Sequence, residues 1–308
     1  MSTVLGYRTF GGADVQEFFD RPAPSPGPAE VLIRVAAAGV NPLDHQLRSG
    51  YVRGMNGQVP FPQVLGMDAA GTVLAVGAEV SGLAVGDRVT GFALTGAGTY
   101  AGTTLLLAES TARIPDALPE TWAATIPVAG TTALDALDQL ALPAGASLLV
   151  NGIGGGVGIA VAQIARDRGL VVVGTGSAAK RTLATKVGAT FVDYTAGDVV
   201  DQLRAQAPDG FDAVVDTVGG DSLRSVAPLA ATPDALVSIG DPSVTELGGA
   251  LVQRRLNRSG LERVAELMVT GRLDPNISAT YPLARADEAL ELVESRHASG
   301  KIVIDMSL

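Results

Sequence analysis

The chain has 308 residues, a formal net charge of −10 and 47% hydrophobic residues, and it contains no cysteine. A chain longer than roughly 250–300 residues usually divides into two domains, and an acidic balance argues against nucleic acids and anionic membranes as main partners. The absence of cysteine excludes a disulfide framework, a thiol nucleophile and a cysteine-ligated zinc site.

The first 118 residues predict an all-β domain. Short apolar runs at 31–35, 72–76 and 87–90 are bounded by Gly, Pro or Asp, the residues that separate short strands. The N-terminus lacks a basic segment followed by an apolar run, so we predict no signal peptide and a cytoplasmic location.

From residue 119 the pattern predicts a second domain of alternating strands and helices. Apolar residues recur at helical spacing over 118–140, and then five short strands follow. We predict strands at 147–151, 170–175, 190–193, 212–218 and 235–240, with helices at 156–168 and 178–187. This alternation favours an α/β domain with a doubly wound parallel sheet at 119–258. A helix at about 259–270 and a strand at 302–304 are expected to complete the N-terminal domain through 259–308.

One uncharged stretch, residues 139–164, is long enough to cross a bilayer. It contains Pro143, Asn151, Gln163 and several glycines, which favour a strand, a turn and a buried helix. We therefore predict no membrane association.

A glycine-rich loop lies where the first strand of this domain meets the first long helix. The segment 152–158 holds five glycines, and Gly152, Gly155 and Gly158 have the spacing GxxGxxG. A dinucleotide site needs glycines for a tight turn, for close approach to a pyrophosphate and for close helix–strand packing. The alternative is a flexible turn without a ligand, and the strand-to-helix context favours the dinucleotide.

The end of the second strand indicates which dinucleotide binds. An NAD site usually carries an acidic residue there, whose carboxylate accepts a hydrogen bond from the ribose 2′-hydroxyl. Here the strand ends at Gly176 and Ser177, and Lys180 and Arg181 follow. A missing acid and nearby cations suit the 2′-phosphate of NADPH, although the two cations are also compatible with a solvated helix start.

Several short motifs, in order from about residue 3 to 305, resemble those of one family. They are Asn41-Pro42-Leu43-Asp44 with Arg48-Ser49-Gly50-Tyr51, Gly66-Met67-Asp68-Ala69-Ala70-Gly71, Gly86-Asp87-Arg88-Val89, Pro127-Val128-Ala129-Gly130-Thr131-Thr132-Ala133 and Gly300-Lys301-Ile302-Val303. The chain resembles the zinc-independent quinone oxidoreductases, the zeta-crystallin-like family of the medium-chain dehydrogenase/reductase superfamily. The resemblance implies a GroES-like β-barrel domain plus a Rossmann domain, with the active site in the cleft between them.

The resemblance also implies roles for individual residues. The catalytic set is Asn41, Tyr51 and Thr131. The cofactor-binding set is Gly155, Gly156, Val157, Gly158, Ser177, Lys180, Tyr194, Gly240 and Lys301. Asp44 is expected to be a helix cap or a partner of Arg48, His45 a loop side chain lining the cleft, and His297 a surface residue. The segment 240–261 is shorter than in many relatives, so the resemblance does not define the substrate pocket or the dimer edge.

Zinc-dependent relatives place Cys where Asn41 stands and His where Met67 stands, so the resemblance implies a reaction without metal. The predicted function is NADPH-dependent hydride transfer to a quinone or an activated enone. One alternative is an enoyl-thioester reductase, and another is a non-catalytic NADPH-binding structural or regulatory protein.

The resemblance further implies a homodimer. The β-prone run 251–254 would form the last strand of the sheet and pair with its two-fold mate, which Val252→Pro should prevent. Arg254 and Arg255 could instead protect the edge of a monomer.

Overall fold

The computed structural model describes residues 2–51 and 60–308. Its contacts divide the chain into two compact units. Unit 1 comprises Met1–Val128, Leu256–Val269 and Ile277–Leu308, and unit 2 comprises Ala129–Arg255 and Thr270–Asn276.

Unit 1 is built around the long strand Glu30–Val40. This strand pairs antiparallel with Asp68–Val76, and its first residues also pair with Thr103–Arg113, which closes the sheet into a barrel. The six-stranded order is Ile277–Tyr281, Lys301–Asp305, Glu30–Val40, Asp68–Val76, Arg88–Ala93 and Thr103–Arg113. The predicted β-barrel and the strand from the C-terminal tail are confirmed.

A smaller sheet and four helices complete the described part of unit 1. The sheet has the order Gln16–Arg21, Ser2–Tyr7 and Gln63–Val64, and the helices are Pro42–Ser49, Glu120–Ala123, Arg258–Val269 and Ala286–Glu294. The core includes the fully buried side chains of Ile33, Val73, Leu106 and Ile304, which belong to four different strands. The helix expected at about 259–270 is confirmed as Arg258–Val269.

The apolar segment 118–140 is not one helix. It consists of the helix Glu120–Ala123, a π-helical turn Ile126–Gly130 and the helix Thr131–Leu140. Proline has no N–H to continue the ladder, so Pro127 favours a break. The next N–H, that of Val128, donates instead to Asp68 Oδ1 at 2.8 Å. The helical periodicity was correct, but it does not show where a side chain takes over a backbone hydrogen bond.

Unit 2 contains a six-stranded, wholly parallel sheet. Its order is Thr190–Asp193, Val171–Gly176, Ser147–Asn151, Ala213–Asp216, Leu236–Ser238 and Ala250–Leu251. Numbered along the chain this is 3-2-1-4-5-6, the strand order of the Rossmann fold. The five predicted strands are confirmed. The uncharged stretch is resolved as strand, turn and helix, and none of the helices in residues 2–51 and 60–308 is long and apolar enough to cross a bilayer.

The α-helices of unit 2 precede its first strand or connect the later strands. They are Thr131–Leu140, Gly156–Asp167, Arg181–Lys186, Val199–Gln206 and Gly220–Val226, followed by a 3-10 segment Pro242–Leu247. Leu148, Leu149 and Val150 are all fully buried, as expected for a parallel strand with both faces covered. Gly169 and Gly188 follow two of the helices with φ of +79° and +75°, the left-handed geometry expected of helix ends.

The outer edge of this sheet is partly covered by a side chain. Val252 N–H points inward and donates to Ser238 O, so its neighbours direct their polar groups outward. Gln139 takes both outward groups: its Nε2 donates to Leu251 O at 3.3 Å, and its Oε1 accepts from Gln253 N at 2.8 Å. Val252→Pro would therefore remove a ladder donor to Ser238 within unit 2, and not a donor directed toward a two-fold mate.

The two arginines after this strand bind within unit 2. Arg254 contacts Thr131 and Asp135, and Arg255 contacts Asp135 and Asp138. They fix the segment after the edge strand against the helix Thr131–Leu140, which is a different role from the edge-protecting charges considered above.

Candidate functional site

The glycine loop joins the strand Ser147–Asn151 to the helix Gly156–Asp167. Gly152 has φ of +89°, and a Cβ there would overlap Thr217 Oγ1. A Cβ on Gly158 would overlap Gly152 O and stand 2.8 Å from Ile153 Cα. Glycine is therefore required at both positions, for the turn and for close packing of the helix start on the loop.

The start of that helix is open. Its N-cap is Gly155, which offers no side chain to the first N–H groups. A Cβ on Gly155 would meet nothing within 4 Å. Uncapped N–H groups and the helix dipole form an anion site, and the loop fits a pyrophosphate that approaches over Gly155, Gly156, Val157 and Gly158.

A buried polar network holds this loop from below. Asn151 Nδ2 donates to Asp216 Oδ1 at 2.8 Å, and Thr175 Oγ1 donates to Asn151 Oδ1 at 2.8 Å. Thr175 Oγ1 also accepts from Gly152 N at 3.0 Å, and Asp216 Oδ2 accepts from Ser238 Oγ at 2.8 Å. The network spans the carboxyl ends of four strands, the edge where ligands bind in open α/β sheets.

Sequence reasoning did not single out these four network residues. Their common signal is visible in hindsight: each is polar and comes at or next to the end of an apolar strand. Because parallel strands align their carboxyl ends, such residues meet at one edge of the sheet.

Three proposed cofactor residues lie around the end of the second strand, Val171–Gly176. Ser177 O accepts from Lys180 N at 2.8 Å, and Tyr194 N donates to Gly176 O at 3.2 Å. The aliphatic part of the Lys180 side chain also packs against the glycine loop. Its Cγ lies 2.6 Å from the point where a Cβ on Gly154 would stand. The structure thus brings Ser177, Lys180 and Tyr194 to the same place as the loop, as an adenosine 2′-phosphate site requires.

Two neighbours of this place have partners of their own. Arg181 directs its guanidinium over the Phe191 ring, 4.8 Å from the centroid, so it has a local partner. Asp193, at the end of the third strand, pairs with Gly176 across the sheet. Its Oδ1 accepts from the amide and hydroxyl of Thr195 at 2.9 and 2.7 Å, and these bonds lower the Asp193 pKa. This carboxylate is committed to its own turn.

The other two proposed residues of unit 2 lie at different elements. Gly240 is exposed after the strand Leu236–Ser238, and a Cβ on it would meet nothing within 4 Å. Thr131, at the start of a helix, is 1% exposed, and its Oγ1 accepts from Arg254 Nη2 at 2.6 Å. Asp135 also binds Arg254, so an ion pair fixes the donor to Thr131.

In unit 1, Asn41 lies between the strand Glu30–Val40 and the helix Pro42–Ser49. Asp44 accepts from Asn41 N at 2.8 Å and from Tyr100 Oη at 2.8 Å, both through Oδ2. The expectation that Asp44 is a helix cap is confirmed. It does not partner Arg48, which instead binds Glu294 at 2.9 Å. Burial raises the Asp44 pKa to about 7, and Asp44 Oδ1 has no hydrogen-bond partner within residues 2–51 and 60–308.

Beside this cap lies a buried cluster that contains both polar ends of the Asn41 side chain. Asn41 Oδ1 accepts from Lys301 Nζ at 2.6 Å, and Asn41 Nδ2 donates to Asp68 Oδ2 at 2.9 Å. Lys301 Nζ also donates to Val40 O at 3.1 Å. Lys301 is 3% exposed, and its polar contacts with Val40, Asn41 and Asp68 lie within unit 1.

Tyr51 follows the helix Pro42–Ser49 and is 67% exposed; residues 52–59, which come next in the chain, lie outside the described residues. His45 lies within that helix, so its assignment to a loop is wrong: the Asp44 cap and Pro42 at the first turn start the helix before it. His297 is exposed, as expected.

Comparisons with known proteins match both units. Residues 27–116 match the family model for the alcohol dehydrogenase GroES-like domain, and residues 187–304 match that for zinc-binding dehydrogenases. The chain is 32% identical to the quinone oxidoreductase of Sus scrofa over 99% of this chain and 97% of that protein. This chain belongs to the quinone oxidoreductase family of the medium-chain dehydrogenase/reductase superfamily.

Solved structures agree with this assignment. The quinone oxidoreductase of Coxiella burnetii has a TM-score of 0.91 at 27% identity, covering 99% of each chain. A mycobacterial protein whose structure was solved in complex with NADPH has a TM-score of 0.87 at 27% identity, covering 99% of this chain and all of the other.

The donor set of the present chain can be compared with what a zinc site needs. Asn41 and Met67 stand where zinc-dependent relatives have Cys and His, and Asn41 is committed to Lys301 and Asp68. Across residues 2–51 and 60–308, no group of three or more His, Asp or Glu side chains is placed to hold a metal ion. The residues therefore do not fit a zinc centre.

Proposed function

We propose that this protein is an NADPH-dependent reductase that transfers hydride to a quinone or an activated enone without a metal ion. The observation that carries the proposal is the contact between Lys180 and the uncapped glycine loop. It joins a cation for a 2′-phosphate to an anion site for a pyrophosphate in one Rossmann unit.

The chain's own residues bind and orient the reactants. Gly155, Gly156, Val157 and Gly158 receive the pyrophosphate, while Ser177, Lys180 and Tyr194 receive the 2′-phosphate. Asn41, Thr131 and Gly240 border the nicotinamide, and Tyr51 lines the acceptor pocket. NADPH supplies the hydride when bound, and a quinone accepts it with modest stabilisation of the developing oxyanion.

The test is NADPH oxidation by the purified protein with a panel of quinones, enones and simple ketones. We expect turnover with quinones or enones and little with simple ketones, which need a Lewis acid more. Activity confined to enoyl thioesters would favour the enoyl-thioester reductase. Tight NADPH binding without turnover of any acceptor would favour the non-catalytic alternative.

Metal dependence is tested on the same preparation. Elemental analysis should give sub-stoichiometric zinc, and chelators should leave turnover unchanged. A full equivalent of zinc with chelator-sensitive turnover would contradict the proposed mechanism.

We further propose that the enzyme acts in the cytoplasm as a homodimer that pairs along the edge strand Ala250–Leu251. The support is the family assignment together with a short, exposed strand at the end of a parallel sheet.

A further inference from the structure

Lys301 is a buried cation whose ammonium lies between an amide and a carboxylate. It donates to Asn41 Oδ1 at 2.6 Å and lies 3.8 Å from Asp68 Oδ2. Burial lowers the Lys301 pKa, whereas the charges of Asp68 and Asp44 oppose that effect. A buried lysine is retained against its desolvation cost only where its charge is compensated, and here the compensating groups surround Asn41.

The cluster fixes which way round the Asn41 amide lies. The two ends of an asparagine amide have nearly the same shape but opposite hydrogen-bonding character. Lys301 can only donate, and ionised Asp68 can only accept, so Oδ1 faces Lys301 and Nδ2 faces Asp68. Among the described residues, the second Nδ2 hydrogen has one long contact, to Gly39 O at 3.4 Å. It is the Nδ2 hydrogen that Asp68 does not bind, on a residue that is 2% exposed, and it is the hydrogen that would face a ligand oxygen in the proposed function.

The charge of Lys301 also acts on that hydrogen. An ammonium bound to the amide oxygen draws electron density from nitrogen, which strengthens the N–H as a donor, because hydrogen bonds in a chain polarise one another. Hydride arrival places negative charge on the acceptor oxygen, and a donor aimed at that oxygen stabilises the transition state more than the ground state.

We propose that Lys301 is a positioning residue for hydride transfer, which sets the orientation of the Asn41 amide and strengthens its remaining N–H toward the acceptor oxygen. The inference rests on the proposed function, which gives Asn41 its place beside the nicotinamide. In this role Lys301 acts through Asn41, which differs from the direct cofactor contact that the family resemblance implies for it.

A purely structural role for Lys301 is the competing explanation, since Asp68 also anchors Val128 N and needs a counter-charge. The two roles differ in what depends on the charge. If Lys301 is structural, removing its charge lowers the free energy of unfolding. If it is a positioning residue, removing its charge lowers kcat and leaves the affinity for NADPH unchanged.

The absence of cysteine makes a selective chemical test available. Lys301→Cys introduces a single thiol, which 2-bromoethylamine converts in the unfolded chain to thialysine, an ammonium of nearly the same length. After refolding, Lys301→Cys should lose about 10- to 100-fold in kcat with a quinone, with little change in the NADPH dissociation constant, and thialysine should restore kcat. Lys186→Cys is the matched control, because Lys186 is exposed and binds Asp274 in unit 2.

The pH dependence separates the two roles. The sulfur of thialysine lowers the pKa of its ammonium, so the alkaline limb of the kcat profile should move to lower pH in the thialysine enzyme. The titratable groups that act on Lys301 are Asp68 and Asp44, with Tyr100 bonded to Asp44. Glu120 and Glu294, on helices packed against this strand, are paired with Arg88 and Arg48. An alkaline limb at the same pH in the wild-type and thialysine enzymes would overturn the proposal. Only these two enzymes, which both carry an ammonium at position 301, are compared.

A double-mutant cycle tests whether Lys301 acts through Asn41. Lys301→Gln should lower kcat in the wild-type background and have little further effect in Asn41→Ala, since contacting residues that act as a unit are not additive. Equal effects in both backgrounds would contradict the inference. A wild-type enzyme that reduces none of the acceptors would contradict the proposed function instead, which keeps the two failures apart.

Discussion

Lys180 lies across Gly154, with its Cγ and Cδ 2.6 and 2.8 Å from the point where a Cβ on the glycine would stand. The same stem passes 3.2 Å from the Cβ position of Gly176 at the end of the second strand. Two glycines without side chains thus make room for one lysine beside the cofactor loop. Partial burial lowers the Lys180 pKa.

Lys180→Ala should weaken NADPH binding and leave NADH binding nearly unchanged. A charge-assisted bond to the 2′-phosphate contributes about 1.5–3 kcal/mol, and only NADPH can make it. Fluorescence titration with both cofactors measures the difference. Arg181→Ala is the control and should have the smaller effect, because Arg181 lies over Phe191. Equal affinity of the wild type for both cofactors would show that the 2′-phosphate is not recognised.

Two glycines of the loop should separate stability from affinity. Gly158→Ala places a Cβ against backbone atoms of Gly152 and Ile153, so it should lower the free energy of unfolding by about 1–3 kcal/mol. The Cβ of Gly155→Ala would meet nothing within 4 Å, and the φ of −86° suits alanine. This substitution should therefore change the free energy of unfolding by no more than about 0.5 kcal/mol. It should weaken NADPH binding, because the added methyl group crowds the pyrophosphate. Urea unfolding and cofactor titration measure both. A Gly155→Ala protein that binds NADPH normally would place the pyrophosphate elsewhere.

Asp44 should make stability fall as pH rises toward neutrality. Burial raises its pKa to about 7 in the folded protein, against about 3.9 in an unfolded chain. The folded state therefore binds more protons between these values. The stability that Asp44 contributes is present below about pH 4 and is lost as pH rises through about 7, by about 1.4 kcal/mol per pKa unit.

Asp44→Asn removes this titration while keeping one acceptor for Asn41 N. The free energy of unfolding of the wild type, relative to that of Asp44→Asn, should decline between about pH 4 and about pH 7. Urea unfolding across that range measures it. Parallel curves for the two proteins would mean that Asp44 titrates normally when folded.

The edge of the unit 2 sheet gives a test of the proposed dimer. Gln253→Pro removes an outward donor and should weaken a dimer that pairs there, whereas Val252→Pro breaks the inward bond to Ser238 and should destabilise unit 2 itself. Gln139→Ala releases both outward groups and should strengthen the dimer. Light scattering at micromolar concentration decides, and a wild-type species near the monomer mass of 31.2 kDa would exclude the dimer.

The pattern of the sequence predicted most of unit 2. Strands such as Thr190–Asp193 and Ser147–Asn151 are short apolar runs between glycines and polar residues, and local patterns of this kind are the strongest signal a sequence carries. The glycine loop was predictable for the same reason, because its spacing and its place between strand and helix are both local.

Contacts between distant parts of the chain were not predictable in this way. Lys301 and Asn41 are 260 residues apart in the sequence, and no local pattern around either residue predicts that the two are in contact. The side-chain cover that Gln139 gives to Gln253 is likewise invisible to periodicity, as is the turn at Val128, whose N–H binds Asp68 rather than continuing a helix.

The pairing of Lys301–Asp305 with Glu30–Val40 has a consequence for how the chain folds during synthesis. Unit 2 is complete in the growing polypeptide except for Thr270–Asn276 well before Lys301 leaves the ribosome, so it can fold while unit 1 still lacks a strand. Until that strand docks, Asp68 is without its ammonium counter-charge. A prematurely terminated product would carry a folded Rossmann sheet beside an open barrel, a form that cellular proteases can recognise and remove.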